Sequence, residues 1–240
     1  MIFLKYFLFL KKNKAMKILD YNFEMIEKMP VTREQRMGLP FHLASKASIL
    51  EYLELSEICE FRIEYHEGFI ISFFLDSKLH NMLTHERIIM NILLEIGYFI
   101  QAHGLDWNLF ASNLEIYIHD PEKPSFYKPD ASVFKEDVKT KEYLNPKDNK
   151  KYDASENPNM VIEVLSKGTK NYDLKVKLEK YKKIASLEQI IFIEPQKLGI
   201  YNYEKIGENW IFSEHTDLTE VAMFLECPIA LQRVYKKVEF

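Results

Sequence analysis

Three acids and one lysine in this sequence could together carry out hydrolytic chemistry on a phosphodiester. Glu163 sits in the run Pro158-Asn159-Met160-Val161-Ile162-Glu163-Val164-Leu165-Ser166, with four apolar neighbours. A carboxylate inside an apolar strand is costly unless it is paired or holds a metal. The alternative is that Glu163 lies on the wet face of an edge strand, and the run alone leaves both readings open. Asp130 follows Pro129 at the entry to a short apolar run, Ala131 to Phe134. Glu64 stands at the end of a first strand, Glu60 to Tyr65, beside a tight turn. Lys177 belongs to the helical segment that follows Glu163. Mg²⁺ is a hard cation that takes one or two carboxylates, with waters and substrate phosphate filling the rest. Such an ion polarises a phosphodiester and acidifies a bound water. A nearby lysine orients that water or stabilises the charge that develops. Mn²⁺ can substitute for Mg²⁺ in such a site.

The elements that must position these groups follow from periodicity and turn residues. The run 159–165 has strand length and β-branched residues, bounded by Pro158 and by Ser166-Lys167-Gly168. A helix is expected over 170–185, with Thr169 as N-cap and Leu174, Leu178, Tyr181 and Ala185 on its core face. Asp173, Lys177 and Tyr181 then fall at i, i+4 and i+8 on one side. For Asp173 an ion pair with Lys177 is the preferred reading, and for Tyr181 core packing. A strand over 189–194 ends at Pro195. A hairpin over 198–213 turns at Gly207-Glu208, and the last 25 residues promise one or two strands and an end-piece.

Upstream, Glu60 to Tyr65 and Phe69 to Leu75 read as two strands joined by His66-Glu67-Gly68, where Gly68 suits a positive φ. The longest helix spans 78–103, with Leu79, Met82, Leu83, Ile89, Leu93, Ile96 and Ile100 at helical spacing and Gly104 closing it. His85 points near its buried face. It either packs in the core or touches the substrate or a carboxylate. A short helix is expected at 20–28, another at 43–55, and strands at 107–111 and 113–118. Residues 135–157 are lysine-rich and aperiodic, and read as a long connection. Their lysines alternate with acids, which favours a solvated charged loop over a phosphate-binding patch. The order of elements gives a mixed α/β domain around a central sheet.

Composition limits the alternatives. The chain has 240 residues, 47% hydrophobic and 28% charged, enough for a full core. Net charge is −4, which argues against a protein that coats nucleic acid through its phosphates, since those are basic. A nuclease survives this argument, because a cluster of metal-binding acids lowers net charge by itself. Cys59 and Cys227 form no CxxC pair and no zinc-like cluster, so a reducing compartment, the cytoplasm, is expected. A single disulfide between them is left open. Residues 2–10 are apolar except Lys5, too short to span a bilayer. Basic residues follow that run and do not precede it, contrary to a signal peptide. Residues 1–20 are therefore read as a tail or a mis-assigned start, with Met16 as an alternative, in preference to a membrane anchor. Residues 21–240 are read as one domain.

Pro129-Asp130, Val161-Ile162-Glu163-Val164-Leu165-Ser166, Thr169, Asp173, Lys177 and Tyr181 together resemble the Uma2 family, within the PD-(D/E)xK or restriction endonuclease-like superfamily. The hairpin Glu64-Tyr65-His66-Glu67-Gly68 is similar to the family's acid-x-x-acid-glycine hairpin. His85 stands where the family carries a histidine at the start of its long helix. The likeness runs from about residue 45 to 205. It implies a restriction endonuclease-like mixed β-sheet core flanked by helices, and a Mg²⁺-dependent DNA endonuclease. It further implies Asp130 and Glu163 as metal ligands, Glu64 as an auxiliary acid and Lys177 as the catalytic lysine. The superfamily places its lysine two residues after the second acid, where this chain has Leu165. The resemblance implies that the role has moved to the following helix, with Lys167 and Lys175 as weaker substitutes. A homodimer is compatible with this likeness. A degenerate binding module for nucleic acid or protein is the competing expectation, as is a hydrolase of another phosphodiester.

Overall fold

The computed structural model describes residues 15–18, 21–73 and 79–240. The expectations for residues 1–14 and for the strand's end at 74–75 lie outside these. The chain folds as two compact units. The first holds the described residues of 1–75 with 120–126 and 143–152; the second holds those of 76–119 with 127–142 and 153–240.

In the first unit, strands at Ala15–Ile18 and Tyr21–Met25 pair antiparallel. The second of these runs parallel to His42–Lys46, which pairs antiparallel with Phe69–Phe73. A strand therefore stands where a helix was expected at 20–28. Phe23, fully buried, packs its ring 5.5 Å from Phe73, and a strand presents it to that neighbour. The helix expected over 43–55 divides into the strand His42–Lys46 and a helix Ile49–Ile58. Ser48 is the reason. Its hydroxyl accepts from the Glu51 N–H while the Glu51 carboxylate accepts from the Ser48 N–H, a capping box that starts the helix there. The expected hairpin forms, as Glu64–His66 against Phe69–Phe73. Glu67 (φ 48°) and Gly68 (φ 92°) make its two-residue turn, which needs positive φ at both positions.

The second unit is built on a six-stranded sheet. In chain order its strands are β1 (Asn108–Ala111), β2 (Ala131–Phe134), β3 (Met160–Val164), β4 (Gln189–Ile193), β5 (Ile200–Ile206) and β6 (Asn209–His215). Spatial order is β6-β5-β4-β3-β2-β1. Only β3 and β4 run parallel; the other neighbours are antiparallel. Helix α1 (Leu79–His103) covers one face and helix α2 (Lys170–Tyr181) the other. With both faces covered, β3 and β4 bury every residue, and their near-continuous apolar composition follows. Side chains alternate between the faces. Met160, Ile162 and Val164 join Ile88, Ile89, Ile92 and Ile96 of α1. Val161 and Leu165 join Leu178 and Tyr181 of α2, with Ile190 and Phe192 of β4. Met82 and Leu83, expected in the core, are about half exposed, because α1 turns its 88–96 stripe to the sheet. This is a mixed α/β fold, as the order of elements suggested.

Residues 135–157 are also more ordered than expected. Strands form at Thr140–Leu144 and Lys151–Ser155, and the Asn145 N–H donates to the Lys150 carbonyl (2.9 Å) across the intervening turn. The first strand is almost wholly exposed, so no apolar period announces it. Lys135 bonds Glu188 (2.7 Å) and Glu226 (3.3 Å), and Lys150 pairs with Glu57, so these lysines serve ion pairs.

Cys59 and Cys227 are both free thiols. Burial, with the Glu95 charge adding to it, pushes the Cys227 thiol up to about 11. At pH 8 only about one in a thousand of such thiols is thiolate, the reactive form. In the native protein at pH 8, Ellman's reagent will therefore titrate Cys59 at least tenfold faster than Cys227. Equal rates would contradict the buried position of Cys227.

Candidate functional site

The site is assembled at the end of β3. The ladder between β2 and β3 pairs Met160 with Val133, Val161 with Ser132 and Ile162 with Ala131. The ladder ends there, and Glu163 and Asp130 are the next residue on each chain beyond it. Asp130 and Glu163 are both buried, at 3% exposure each. The sequence separates them by 33 positions, and the strand pairing brings them together.

Each carboxylate has its own set of partners. The Val164 N–H donates to Asp130 Oδ2 at 2.8 Å. His85, on α1, places Nε2 3.3 Å from the same Oδ2 and 3.1 Å from the Val164 carbonyl oxygen. A proton on Nε2 is thus shared between two acceptors and ties α1 to the end of β3. Glu163 Oε1 accepts from Lys177 Nζ at 2.9 Å and from the Tyr181 hydroxyl at 2.7 Å. Lys177 Nζ also lies 3.5 Å from Asp173 Oδ1 and 5.4 Å from the centre of the Tyr127 ring. The Tyr127 ring meets Tyr181 edge-on at 5.6 Å. A buried ammonium between two carboxylates and over an aromatic face has its charge compensated on every side.

Lys177 and Tyr181, four residues apart, share a face of α2, and an irregularity before them sets where Asp173 lies relative to the pair. Lys170–Tyr172 is α-helical, Asp173–Lys177 forms a π turn, and Leu178–Tyr181 is α-helical again. The Leu178 N–H donates to the Asp173 carbonyl, five residues back. A π turn holds one extra residue, so everything after it lags by roughly 100° relative to a regular helix. Asp173, Lys177 and Tyr181 would fan over roughly 80° in a regular helix; the lag gathers them onto one arc facing Glu163. The expected helix over 170–185 ends at Tyr181. Thr169 does not cap it: its side chain makes no cap bond, and the Ser166 hydroxyl accepts the Thr169 N–H at 3.1 Å. Thr169 itself is helical (φ −106°, ψ −15°), which leaves it without the extended backbone a cap residue needs.

Of the residues singled out in the sequence, Asp130, Glu163, Lys177, Asp173 and His85 come together in the second unit. Asp173 pairs with Lys177, as its spacing suggested. Glu64 lies in the first unit. It is buried at 3%, with Arg62 Nη2 3.3 Å from Oε1. Two residues escaped the sequence reading. Tyr181 was assigned to the core, and it is fully buried, but its hydroxyl is a ligand of Glu163. Its place on the Asp173-Lys177 stripe was the available signal. Tyr127 gave no signal at all. Among the described residues, no three or more His, Cys, Asp or Glu converge as a ready-made metal cage. None of the described helices is long and apolar enough to cross a membrane.

Comparison with known proteins adds a family. The model described as "Uma2: Putative restriction endonuclease" matches residues 50–232, most of the chain and all of the site. A curated relative, "Uncharacterized protein sll1609" of Synechocystis sp. (strain ATCC 27184 / PCC 6803 / Kazusa), is 28% identical over 165 residues. That match covers 68% of this chain and 84% of the relative.

Proposed function

The chain belongs to the Uma2 family, within the restriction endonuclease-like superfamily, and on that premise we propose that it is a Mg²⁺-dependent endonuclease hydrolysing DNA phosphodiester bonds. One observation carries the reading: Asp130 and Glu163 follow directly on the last paired residues of β2 and β3, both buried, with Lys177 2.9 Å from Glu163. Two acids and a lysine is the set that such hydrolysis requires. The donors at the site are oxygens, which suits Mg²⁺ or Mn²⁺, and two carboxylates match the number Mg²⁺ usually takes from protein. Asp130 and Glu163 would hold the ion, which when bound polarises the phosphodiester and lowers the pKa of a water. Lys177, buried beside Glu163, would stabilise the negative charge that grows on the phosphate oxygens through its field and not by contact. Tyr181 fixes Oε1 of Glu163, His85 fixes Asp130, and Asp173 holds the Lys177 ammonium in line. The enzyme would act in the cytoplasm, and a homodimer would supply the second site for cutting both strands of a duplex.

Incubation of supercoiled plasmid and of single-stranded circular DNA with the protein and Mg²⁺ or Mn²⁺ tests this. The wild type is expected to nick or linearise the substrate. Chelation abolishes cleavage, and Asp130→Asn, checked for native folding, slows it by at least about 100-fold. Equal rates for wild type and Asp130→Asn would remove the assignment. A second reading, a non-cutting nucleic-acid-binding module, draws on one observation. Glu163 Oε1 already carries two hydrogen bonds, from Lys177 and Tyr181. Calorimetry separates the two readings: binding of DNA with no heat from Mg²⁺ would favour the module.

A further inference from the structure

A second carboxylate on the same sheet face repeats the arrangement around Glu163. The β3–β4 register pairs Glu163 with Phe192 and Val164 with Ile193, and the Leu165 N–H donates to the Ile193 carbonyl (2.8 Å). Glu194 therefore stands opposite Leu165, one strand across and two residues beyond the partner of Glu163. Strand spacing puts the two glutamate Cα atoms about 8 Å apart. Glu194 is 5% exposed. Its Oε1 accepts from Lys170 Nζ and from the Tyr201 hydroxyl at 3.0 Å. Each acid is thus held by one lysine of α2 and one tyrosine. The sheet makes room for Glu194 at Gly199, where a Cβ would lie 3.1 Å from Glu194 Cγ.

The two constellations differ in exposure. The side chain of Lys177 is 4% exposed, and that of Lys170 is 38% exposed. The first ammonium is enclosed by protein. The second is anchored on one side and open to water on the other, with donors left for an incoming anion. Burial and the Glu194 charge push the Tyr201 phenol up to about 12, so it remains a donor to Glu194 at any working pH.

We propose that Lys170 binds a backbone phosphate of the nucleic-acid strand flanking the scissile one, and that Glu194 and Tyr201 position it for that contact. The proposal rests on the nucleic-acid reading of the Glu163 site. A lysine pinned to a buried acid has already lost much of its rotamer freedom, so its contact with phosphate loses less on binding.

The test uses the full chain and a fluorescein-labelled oligonucleotide, single-stranded and as a duplex. Anisotropy is read at several KCl concentrations without divalent ion, with plasmid cleavage followed in parallel. Lys170→Gln is expected to weaken binding on the order of tenfold at low salt and to reduce the salt slope by about one. In cleavage, KM rises while kcat holds. Lys170→Arg restores the slope. Glu194→Gln weakens binding less and leaves the slope near that of wild type. An unchanged slope in Lys170→Gln overturns the proposal, whatever happens to its melting temperature, because a lysine that only neutralises Glu194 contributes no phosphate contact. A wild type that binds but does not cut removes the nuclease reading and leaves this proposal standing. A wild type that neither binds nor cuts removes both.

Discussion

Replacing Lys177 with alanine will lower the unfolding free energy by about 3–5 kcal/mol, the cost of removing one partner from a buried ion pair. The ammonium bridges Glu163 Oε1 at 2.9 Å and Asp173 Oδ1 at 3.5 Å, and the three side chains are each about 5% exposed or less. Alanine leaves two buried carboxylates without the cation between them. The Tyr181 hydroxyl stays on Glu163, but a neutral donor compensates a charge only in part. A chain of this size shifts its melting temperature by roughly 2–4 °C per kcal/mol, so a loss on the order of 10 °C is expected. Urea denaturation will show the midpoint falling at constant slope. The combination Glu163→Gln, Asp173→Asn and Lys177→Met will recover most of the loss, because no charge is then buried alone. A cost below about 1 kcal/mol for Lys177→Ala would mean that the pair is solvated like a surface bridge, and the enclosed site would have to be abandoned. The recovered triple variant also separates stability from chemistry: it should fold and fail to cut.

What could be read in advance depended on how local the cause was. Glu163 announced itself because a charge among Met160, Val161, Ile162 and Val164 needs a partner, and every side chain of that strand is indeed buried. The hairpin was legible because Gly68 suits a positive φ, whereas the positive φ of Glu67 had no sign in the sequence. Lys177 was visible on the stripe Asp173-Lys177-Tyr181 of the helix after Glu163; family likeness chose it as the catalytic lysine over Lys167 and Lys175. The strand Tyr21–Met25 was misread because its reason lies in distant partners, His42 and Phe73 around Phe23. Thr140–Leu144 has one partly covered residue in five, so it leaves no period to detect. Asp130 and Glu163 were named separately, and their juxtaposition is a matter of register between strands 25 residues and more apart in the chain. The role of Tyr181 was hidden because a tyrosine carries an apolar body and a polar tip, and only the body shows in a periodic pattern.

The π turn at Asp173–Lys177 can be tested by two single-residue deletions with opposite expected outcomes. If the turn is an α-helix carrying one extra residue, removing the exposed Lys175 gives the chain a regular helix from Lys170 to Tyr181. The residues on either side then keep their places, and Lys177 and Tyr181 still reach Glu163. Removing the exposed Glu179, after the turn, leaves the extra residue in place and rotates Lys180 and Tyr181 by roughly 100° about the helix axis. That pulls the Tyr181 hydroxyl from Glu163 Oε1, now 2.7 Å away, and turns its fully buried ring out from between Tyr127 and the sheet. Loss of a buried aromatic contact alone costs about 3–5 kcal/mol. Misplacement of a catalytic group by even 1 Å costs about 100-fold in rate. The Lys175 deletion should therefore lie within about 1 kcal/mol of wild type and retain DNA cleavage within a few-fold. The Glu179 deletion should be severely destabilised and inactive wherever it remains folded. Equal damage from the two deletions would show that the π geometry is needed in its own right to set Lys177. Equal tolerance would show that Tyr181 does not hold Glu163. The contrast matters because the superfamily's lysine comes two residues after the acid, from the strand itself. Here it comes from a helix, and a helix can aim a side chain at a neighbouring strand only if its phase is correct. The extra residue in the turn sets that phase, so it is the physical counterpart of the lysine's displacement from position 165.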